Sequence, residues 1–174
     1  MKKDSMDSFI YSIYLLPNSF NLDQLIEKSK TRKLPKITLQ VLDPTWIVSK
    51  KHISAAIYHT QKAFDEERNF ARDKATEFLI RISGQKQIKN ALKQFGVREN
   101  SKQILVVAFG GSKEENENEE LDFIKNIDFK IESIDKESLP ISDIRKLSNF
   151  YKSEESLQNV EKAALEKMAA IEIY

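Results

Sequence analysis

Three absences constrain this 174-residue sequence, which has no cysteine, no long hydrophobic run and almost no net charge. Without cysteine the chain cannot form a disulfide, supply a thiol nucleophile or bind a metal through sulfur. This composition fits a reducing compartment, and we expect a cytoplasmic protein. No apolar run predicts a transmembrane helix or a secretory signal. The formal charge of +1 gives no general attraction to nucleic acid, so RNA binding would require local clusters of lysine and arginine.

Recognisable catalytic motifs are also absent. The chain has no Walker phosphate loop, no dinucleotide-binding glycine fingerprint and no nucleophile elbow. Gly110-Gly111-Ser112 follows a predicted strand, but it lacks the lysine and the second glycine of a phosphate loop. The acidic run over residues 113–120 lacks the glycine pattern of a calcium loop. The sequence therefore favours a binding module over an enzyme, and we expect no catalytic residue, metal or cofactor.

The only two histidines, His52 and His59, are seven residues apart on one predicted helix. At the α-helical rise they lie about 10.5 Å apart along the axis, which is too far for both to bind one metal ion. We expect both at the surface or its boundary, with His52 a candidate ligand contact. A small enzyme that uses His52 with a carboxylate is an alternative.

Length and composition predict a globular protein with one domain, residues 1–174, or one domain with appended helices. Apolar and β-branched runs predict strands over residues 8–16, 37–42, 103–109 and 129–134, and residues 46–48 can extend the sheet. The run over residues 103–109 is nearly continuous in apolar residues and is the predicted central strand. Side chains suited to capping predict helix starts at Asn21, Ser49, Asn69 and Ser153. Pro140 introduces another helix.

The stretch over residues 69–96 predicts two helices joined at Ser83-Gly84. Apolar residues recur every three or four positions in each helix, while Arg81 lies off the apolar face of the first. Ser83 can cap the second helix, and Gly96 can end it in the left-handed conformation. The amides of residues 84–86 are predicted to face outward without partners, and such a helix start attracts anions.

Three lysines occur at predicted helix starts, where the helix dipole favours acidic residues. Lys86 lies at the start of the second helix of the pair, and Lys50 and Lys51 lie in the first turn after Ser49. A negative partner explains such lysines better than helix stability does, although simple solvation is the alternative. These two helix starts are therefore candidate phosphate contacts.

The C-terminal helix has more apolar surface than one inward stripe requires. Leu157, Val160, Ala164, Met168 and Ile171 recur at helical spacing, and Leu165 and Ala169 lie on the flank. One face can pack on the domain, and the surplus needs a second surface. Either another helix of the chain covers it or a protein partner binds it, with Met168 at the centre.

Residues 46–96 resemble the PRPK-binding protein (TPRKB) family, the small kinase-binding subunit of the KEOPS complex. The resemblance is carried by four segments, and weaker similarity extends over nearly the whole chain. The segments are Asp43-Pro44-Thr45 with Ile47-Val48, Lys51-His52-Ile53 with Ala55-Ala56, residues 77–88, and Ala91-Leu92-Lys93-Gln94-Phe95-Gly96. The archaeal members usually have Ser-Gly-x-Arg-Gln-Ile, and Lys86 takes the place of the arginine. Lysine keeps the charge but lacks the planar fork of guanidinium.

The resemblance implies an α/β fold, a small mixed sheet flanked by several helices in a single domain with a long C-terminal helix. It implies a non-catalytic subunit that binds a small atypical kinase or ATPase and the single-stranded 3′ CCA end of tRNA. Such a subunit supports threonylcarbamoyl transfer to the adenosine beside the anticodon. The predicted RNA contacts are Lys50, Lys51, His52, Arg81, Ser83, Gly84, Gln85, Lys86 and Gln87. The predicted partner contacts are Leu157, Val160, Ala164, Leu165, Met168, Ala169 and Ile171.

A second interpretation keeps the kinase but not the RNA. In it the chain is a protein-only adaptor that regulates a kinase, and a tRNA gel shift separates the two interpretations. Turnover by the purified chain alone would instead support the small enzyme that uses His52.

Overall fold

The computed structural model describes residues 8–31, 33–134 and 139–173. Within these ranges no helix combines the length and the apolar character needed to cross a membrane. The predicted α/β class is confirmed. The elements, in chain order, are β1 (Ile10–Leu15), α1 (Leu22–Lys30), β2 (Thr38–Leu42), a 3₁₀ turn (Pro44–Trp46), α2 (Lys50–Asp65), α3 (Lys74–Ser83), α4 (Ile88–Phe95), β3 (Gln103–Phe109), α5 (Lys113–Asn126), β4 (Glu132–Ile134), α6 (Ile144–Tyr151) and α7 (Leu157–Ala170).

The chain divides into two compact units. The sheet unit comprises the described residues of Met1–Asp43 and Val97–Lys136, and the helical unit comprises those of Pro44–Gly96 and Glu137–Tyr174. Each unit joins two segments that are distant in the sequence. The assignment of residues 1–174 to one domain stays a prediction.

The sheet unit is built on four strands in the order β2-β3-β1-β4. Every pairing between these strands is antiparallel, whereas the sequence predicts a mixed sheet. Its register places Ile13 opposite Leu105 and Val41 opposite Val106. β3 pairs on both sides and is buried from Ile104 to Phe109, which confirms the predicted central strand.

Helices α1 and α5 of the sheet unit begin at side-chain caps. Asn21 Oδ1 accepts the amide N–H of Gln24 at 2.9 Å, as the sequence predicts. At α5, Ser112 and Glu115 each accept the other's backbone N–H in a capping box. The apolar faces of these helices then pack on one side of the sheet. The resulting core contains Leu16, Leu25, Leu39, Ile104, Val106, Phe123 and Ile127.

The helical unit packs α2 against α3 and α7, α3 against α4 and α7, and α6 against α7. One core cluster lies beneath α6 and α7, and a smaller cluster joins α3 and the segment before it to the residue that follows α7. The first contains Val48, Leu147, Tyr151, Val160 and Ala164. The second contains Ala71, Ile80 and Ile171.

Several predicted boundaries in this unit are wrong. Residues 46–48, predicted to extend the sheet, lie outside the strands, and Trp46 ends a 3₁₀ turn. α3 is capped by Asp73 rather than Asn69, and α7 is capped by Ser156 rather than Ser153. In both cases the chain has two polar residues within four positions that can cap the helix, so the sequence alone does not determine its first turn. Ser49 caps α2 as predicted, its hydroxyl accepting the His52 amide at 3.2 Å.

Candidate nucleic-acid and partner interface

The α3–α4 junction in the helical unit does not present the free amides that the sequence predicts. Ser83 is the last residue of α3, and its hydroxyl donates to the Ile80 carbonyl at 3.1 Å instead of capping α4. The Gly84 amide donates to the Arg81 carbonyl at 3.1 Å, and the Gln85 amide donates to the Ile80 carbonyl at 3.3 Å. These bonds finish α3, so two of the three predicted anion-binding amides are already used.

Gly84 is the left-handed residue of this junction, with a φ of 61°. Gly96, predicted to take that conformation, has a φ of −71°. A Cβ on Gly84 would lie 2.7 Å from Lys167 Cγ and 3.0 Å from the Lys167 carbonyl oxygen. Glycine is thus needed both for the helix end and for close packing against α7. The junction and the C-terminal helix are therefore in direct contact.

Lys86 and Gln87 are exposed on the far side of this junction. Gln87 occupies the N-cap position of α4, so Lys86 precedes the helix and does not lie in its first turn as predicted. The Lys86 ammonium lies 5.5 Å from the ring centroid of Phe70, whose side chain is 45% exposed. The ammonium of Lys86 and the ring of Phe70 thus form an accessible cation beside an accessible aromatic ring.

Arg81 is fully buried, which contradicts its prediction as an RNA contact. Its Nε and Nη2 atoms lie 2.7 Å from Oε1 of Glu77, which is also fully buried, and its Nη1 contacts Glu172 beyond the end of α7. The other carboxylate oxygen of Glu77 accepts the amides of Phe70 and Ala71, each at 2.8 Å. This ion-pair network, Glu77-Arg81-Glu172, holds α3 and the end of α7 together.

His52 is also buried, which contradicts the predicted surface position. Its Nδ1 accepts the Val48 amide at 3.3 Å, and the protonated Nε2 therefore donates to the Ile82 carbonyl at 3.0 Å. Burial lowers the pKa of His52 to about 4, so the imidazole is neutral at neutral pH. Both nitrogens are committed to the backbone, and His52 joins α2 to the end of α3.

Lys50 and Lys51 are exposed at the start of α2, as predicted. The Lys51 ammonium lies 3.5 Å from Oε1 of Glu161 on α7. The same carboxylate accepts the Ser49 hydroxyl through Oε2 at 2.5 Å. The helix dipole disfavours Lys51 at this position, and the carboxylate of Glu161 compensates for its charge. Lys51 is a weaker candidate for a phosphate contact than the sequence suggests.

The predicted partner residues of α7 divide into two sets. Val160, Ala164, Met168 and Ile171 are buried, so they form the inward stripe of the helix and are not a partner surface. Leu157 and Ala169 are exposed, and Leu165 is partly exposed. Ile173, just beyond the helix, is 75% exposed. Leu165, Ala169 and Ile173 are four residues apart and follow one flank of the helix.

The structure also brings together aromatic and basic residues that no sequence pattern predicts as a site. The rings of Trp46 and Phe150 stack with centroids 4.1 Å apart and an interplanar angle of 12°. The Lys146 ammonium lies 5.3 Å from the Trp46 ring, and the Lys167 ammonium lies 4.8 Å from the Phe150 ring. We call this group, with the neighbouring Lys152, the lysine–aromatic surface. Its residues come from three separate segments of the chain, so no local pattern reveals it.

Among the described residues no group of three or more His, Asp and Glu side chains is placed to hold a metal ion. No curated protein matches the chain. A family model does match, under the description kinase binding protein CGI-121, over residues 18–172. The match covers most of the chain and confirms the kinase-binding family that the sequence resembles. The chain belongs to the CGI-121 family of kinase-binding proteins.

Proposed function

We propose that this protein is a non-catalytic, cytoplasmic subunit of a KEOPS-type complex, of the archaeal type, which binds a small atypical kinase and the 3′ CCA end of tRNA. In this role it supports threonylcarbamoyl transfer to tRNA without carrying out the chemistry. Membership of a kinase-binding family supports the protein partner. The RNA partner depends on the geometry of the helical unit.

One observation carries the RNA part, the pair of Lys86 and Phe70. Within the described residues no carboxylate lies within 4.0 Å of the Lys86 ammonium, which lies 5.5 Å from the centroid of the Phe70 ring. The ring rests on the guanidinium of Arg81, 4.9 Å from its centroid, and the buried ion-pair network fixes that guanidinium. An exposed, fixed aromatic ring can stack on an unpaired base while the lysine binds a phosphate.

This proposal is tested by tRNA binding to the purified full chain. Lys86→Ala and Phe70→Ala should each weaken binding, and trimming the CCA end should weaken it more than changing the anticodon. Tyr58→Ala is the matched control, because Tyr58 is also exposed and has a lysine, Lys62, 5.9 Å from its ring. Equal binding of intact and trimmed tRNA would contradict recognition of the CCA end.

The kinase is proposed to bind the flank of α7 that carries Leu165, Ala169 and Ile173. This revises the sequence-based proposal, because the buried Met168 cannot lie at the centre of an interface. Leu165→Glu should leave the chain folded by circular dichroism and abolish co-purification with the kinase, since an unpaired carboxylate at an interface centre is strongly unfavourable. Glu166→Ala, on the solvent side, is the control. Normal binding by a folded Leu165→Glu variant would place the kinase elsewhere.

The protein-only adaptor stays the second candidate. It is supported by the positions of several residues that the sequence predicts as RNA contacts. Arg81, His52 and Ser83 are buried, and Lys51 is paired with Glu161. If the full chain binds its kinase but shows no tRNA shift at low salt, the adaptor is the better description. The enzyme that uses His52 has no support, because both nitrogens of that buried ring are bonded to the backbone.

A further inference from the structure

The lysine–aromatic surface has a fixed aromatic centre. The Tyr151 hydroxyl donates to the Trp46 carbonyl at 2.6 Å, which holds the 3₁₀ turn against α6. Trp46 then stacks on Phe150, and Phe95 of α4 meets Phe150 edge to face at 6.4 Å. Trp46 and Phe150 are only partly buried. A stacked, partly accessible pair of rings therefore lies beside α7 in a defined position.

The cations of this surface lie apart from the carboxylates that the structure describes. In the described part of the chain, no carboxylate lies within 4.0 Å of the ammonium of Lys146, Lys152 or Lys167. Lys162, on the same helix as Lys167, has the ordinary arrangement and lies 3.8 Å from Glu166. Partial burial, with a smaller contribution from the nearby charge of Lys152, lowers the pKa of Lys167. Positive charges gathered without nearby carboxylates, one of them partly desolvated, favour an anion from outside the chain.

Lys152 has an unusual backbone conformation for a lysine. It ends α6 in the left-handed conformation, with a φ of 55°. Glycine is the usual residue at such a position, because a Cβ is unfavourable there. The chain instead places a lysine there, close to the charge of Lys167. The position thus allows a substitution, Lys152→Gly, that removes the charge without opposing the backbone conformation.

We propose that Lys152, Lys167 and the Trp46–Phe150 stack form a second contact for unpaired RNA, in which the lysines bind phosphate and the rings stack on a base. The inference rests on the proposed RNA-binding function and extends the RNA path beyond Lys86. Gly84 connects the two proposed RNA contacts, because it contacts Lys167 and lies two residues before Lys86. Stacked rings beside lysines suit flat bases and phosphates better than they suit an acidic peptide.

The position of Lys167 on α7 separates this contact from the proposed kinase surface. Residues two apart on an α-helix point in nearly opposite directions, about 200° around the axis. Lys167 therefore lies across the helix from Leu165 and from Ala169. RNA and kinase are then bound on opposite flanks of one helix, and single substitutions should separate them.

The test uses the only tryptophan of the chain, Trp46, as an internal reporter. An unstructured single-stranded RNA oligonucleotide is titrated into the full chain, and both tryptophan fluorescence and the anisotropy of a labelled copy are recorded. We expect quenching that follows the anisotropy, because a base stacks on the Trp46–Phe150 pair. Inorganic phosphate alone should give little quenching. Binding by anisotropy without any change in fluorescence would overturn the stacking.

The phosphate contact is tested with three lysine variants and a matched control. Lys167→Ala and Lys152→Gly should each weaken RNA binding and reduce the slope of log affinity against log salt by about 0.7, the value for one phosphate of a single strand. Lys167→Arg should keep most of the affinity, and Lys162→Ala should bind as the wild type does. If Lys167→Ala unfolds, Lys152→Gly decides the matter.

The outcomes distinguish this inference from the function on which it rests. If wild type binds RNA and only Lys86→Ala weakens it, the second contact is wrong and the proposed function stands. If wild type binds no RNA, both are wrong. If Lys152→Gly keeps RNA binding but loses the kinase, the surface belongs to the protein interface, and the inference is overturned.

Discussion

Two charged regions of the helical unit show opposite ways of holding charge. In the ion-pair network, Arg81 is fully buried and contacts two carboxylates, those of Glu77 and Glu172. In the lysine–aromatic surface, Lys167 is partly buried against aromatic rings with Lys152 nearby. Within the described residues no carboxylate lies within 4.0 Å of either lysine. Within one unit, the arginine is therefore held by carboxylates of the chain, whereas the two lysines are not held by those of the described residues.

The two regions should therefore respond differently to substitution. Removing one member of a buried ion pair leaves the other member buried and uncompensated, which costs far more than the pair contributes. Removing a cation that has no acidic partner relieves repulsion among its neighbours and costs the fold little. Stability measurements report on the first region, and binding measurements report on the second.

The largest effect is expected from Arg81→Ala. This change leaves the buried Glu77 carboxylate without its cation, and we expect a loss of about 3–5 kcal/mol in the free energy of unfolding. Urea denaturation measures it. Lys162→Ala, which removes the exposed partner of Glu166, should cost no more than about 1 kcal/mol. A loss of less than about 1 kcal/mol for Arg81→Ala would break the distinction between the two regions.

Acidification should protonate His52 and so add a buried charge to the helical unit, in addition to those of Glu77 and Arg81. The folded-state pKa of His52 is lowered from 6.5 to about 4, so the unfolded chain binds the proton first as pH falls. The contribution of neutral His52 to the free energy of unfolding should thus be fully present above pH 6.5. It should decrease by roughly 3 kcal/mol as the pH falls towards 4.

Chemical denaturation at a series of pH values measures this fall. His52→Gln removes the titration and should flatten the curve between pH 6.5 and pH 4, at some cost in stability at neutral pH. His59 is the second histidine, with a pKa lowered first by burial and then by Arg81, and it contributes with the same sign. An unchanged slope in His52→Gln would mean that the buried imidazole is not the acid-sensitive group.

A smaller effect is expected at Gly84, which follows α3 and contacts Lys167 and thus lies between the two regions. Gly84→Ala places a Cβ on a left-handed residue, and we expect a loss of about 1–2 kcal/mol. Thermal denaturation measures it. Gly84→Asn tolerates the left-handed backbone better, so any loss that it shares with Gly84→Ala is due to the contact with Lys167. Full stability in both variants would show that α7 is not closely packed there.

Local features of the fold could be predicted because neighbouring residues determine them. The central strand β3 follows from its apolar run, and the caps of α1 and α2 follow from Asn21 and Ser49. Helical periodicity also identified the apolar stripe of α7. Periodicity alone could not say which part of that stripe packs inward, since Met168 and Leu165 are equally apolar.

The site was less predictable because its partners are distant in the chain. Glu77 and Arg81 are four residues apart on one helix, but the pairing of Arg81 with Glu172 is not suggested by any local pattern. The buried His52 accepts a hydrogen bond from the Val48 amide and donates one to the carbonyl of Ile82, which belongs to another helix. Trp46 and Phe150 likewise meet only through the tertiary fold. Burial, rather than residue type, decides which charged side chains are free to bind a ligand.

The central claim is that lysines without carboxylate partners bind RNA, while paired lysines do not. It is tested most directly by the salt dependence of single-stranded RNA affinity in two triple variants that remove the same charge. One is Lys146→Ala with Lys152→Gly and Lys167→Ala, and the control, whose lysines lie 3.8–3.9 Å from carboxylates, is Lys62→Ala with Lys113→Ala and Lys162→Ala. We predict that the slope of log affinity against log salt falls by about 1.4 in the first variant, the value for the two phosphates bound by Lys152 and Lys167, and is unchanged in the control. An equal fall in both variants, or no fall in either, would contradict the account.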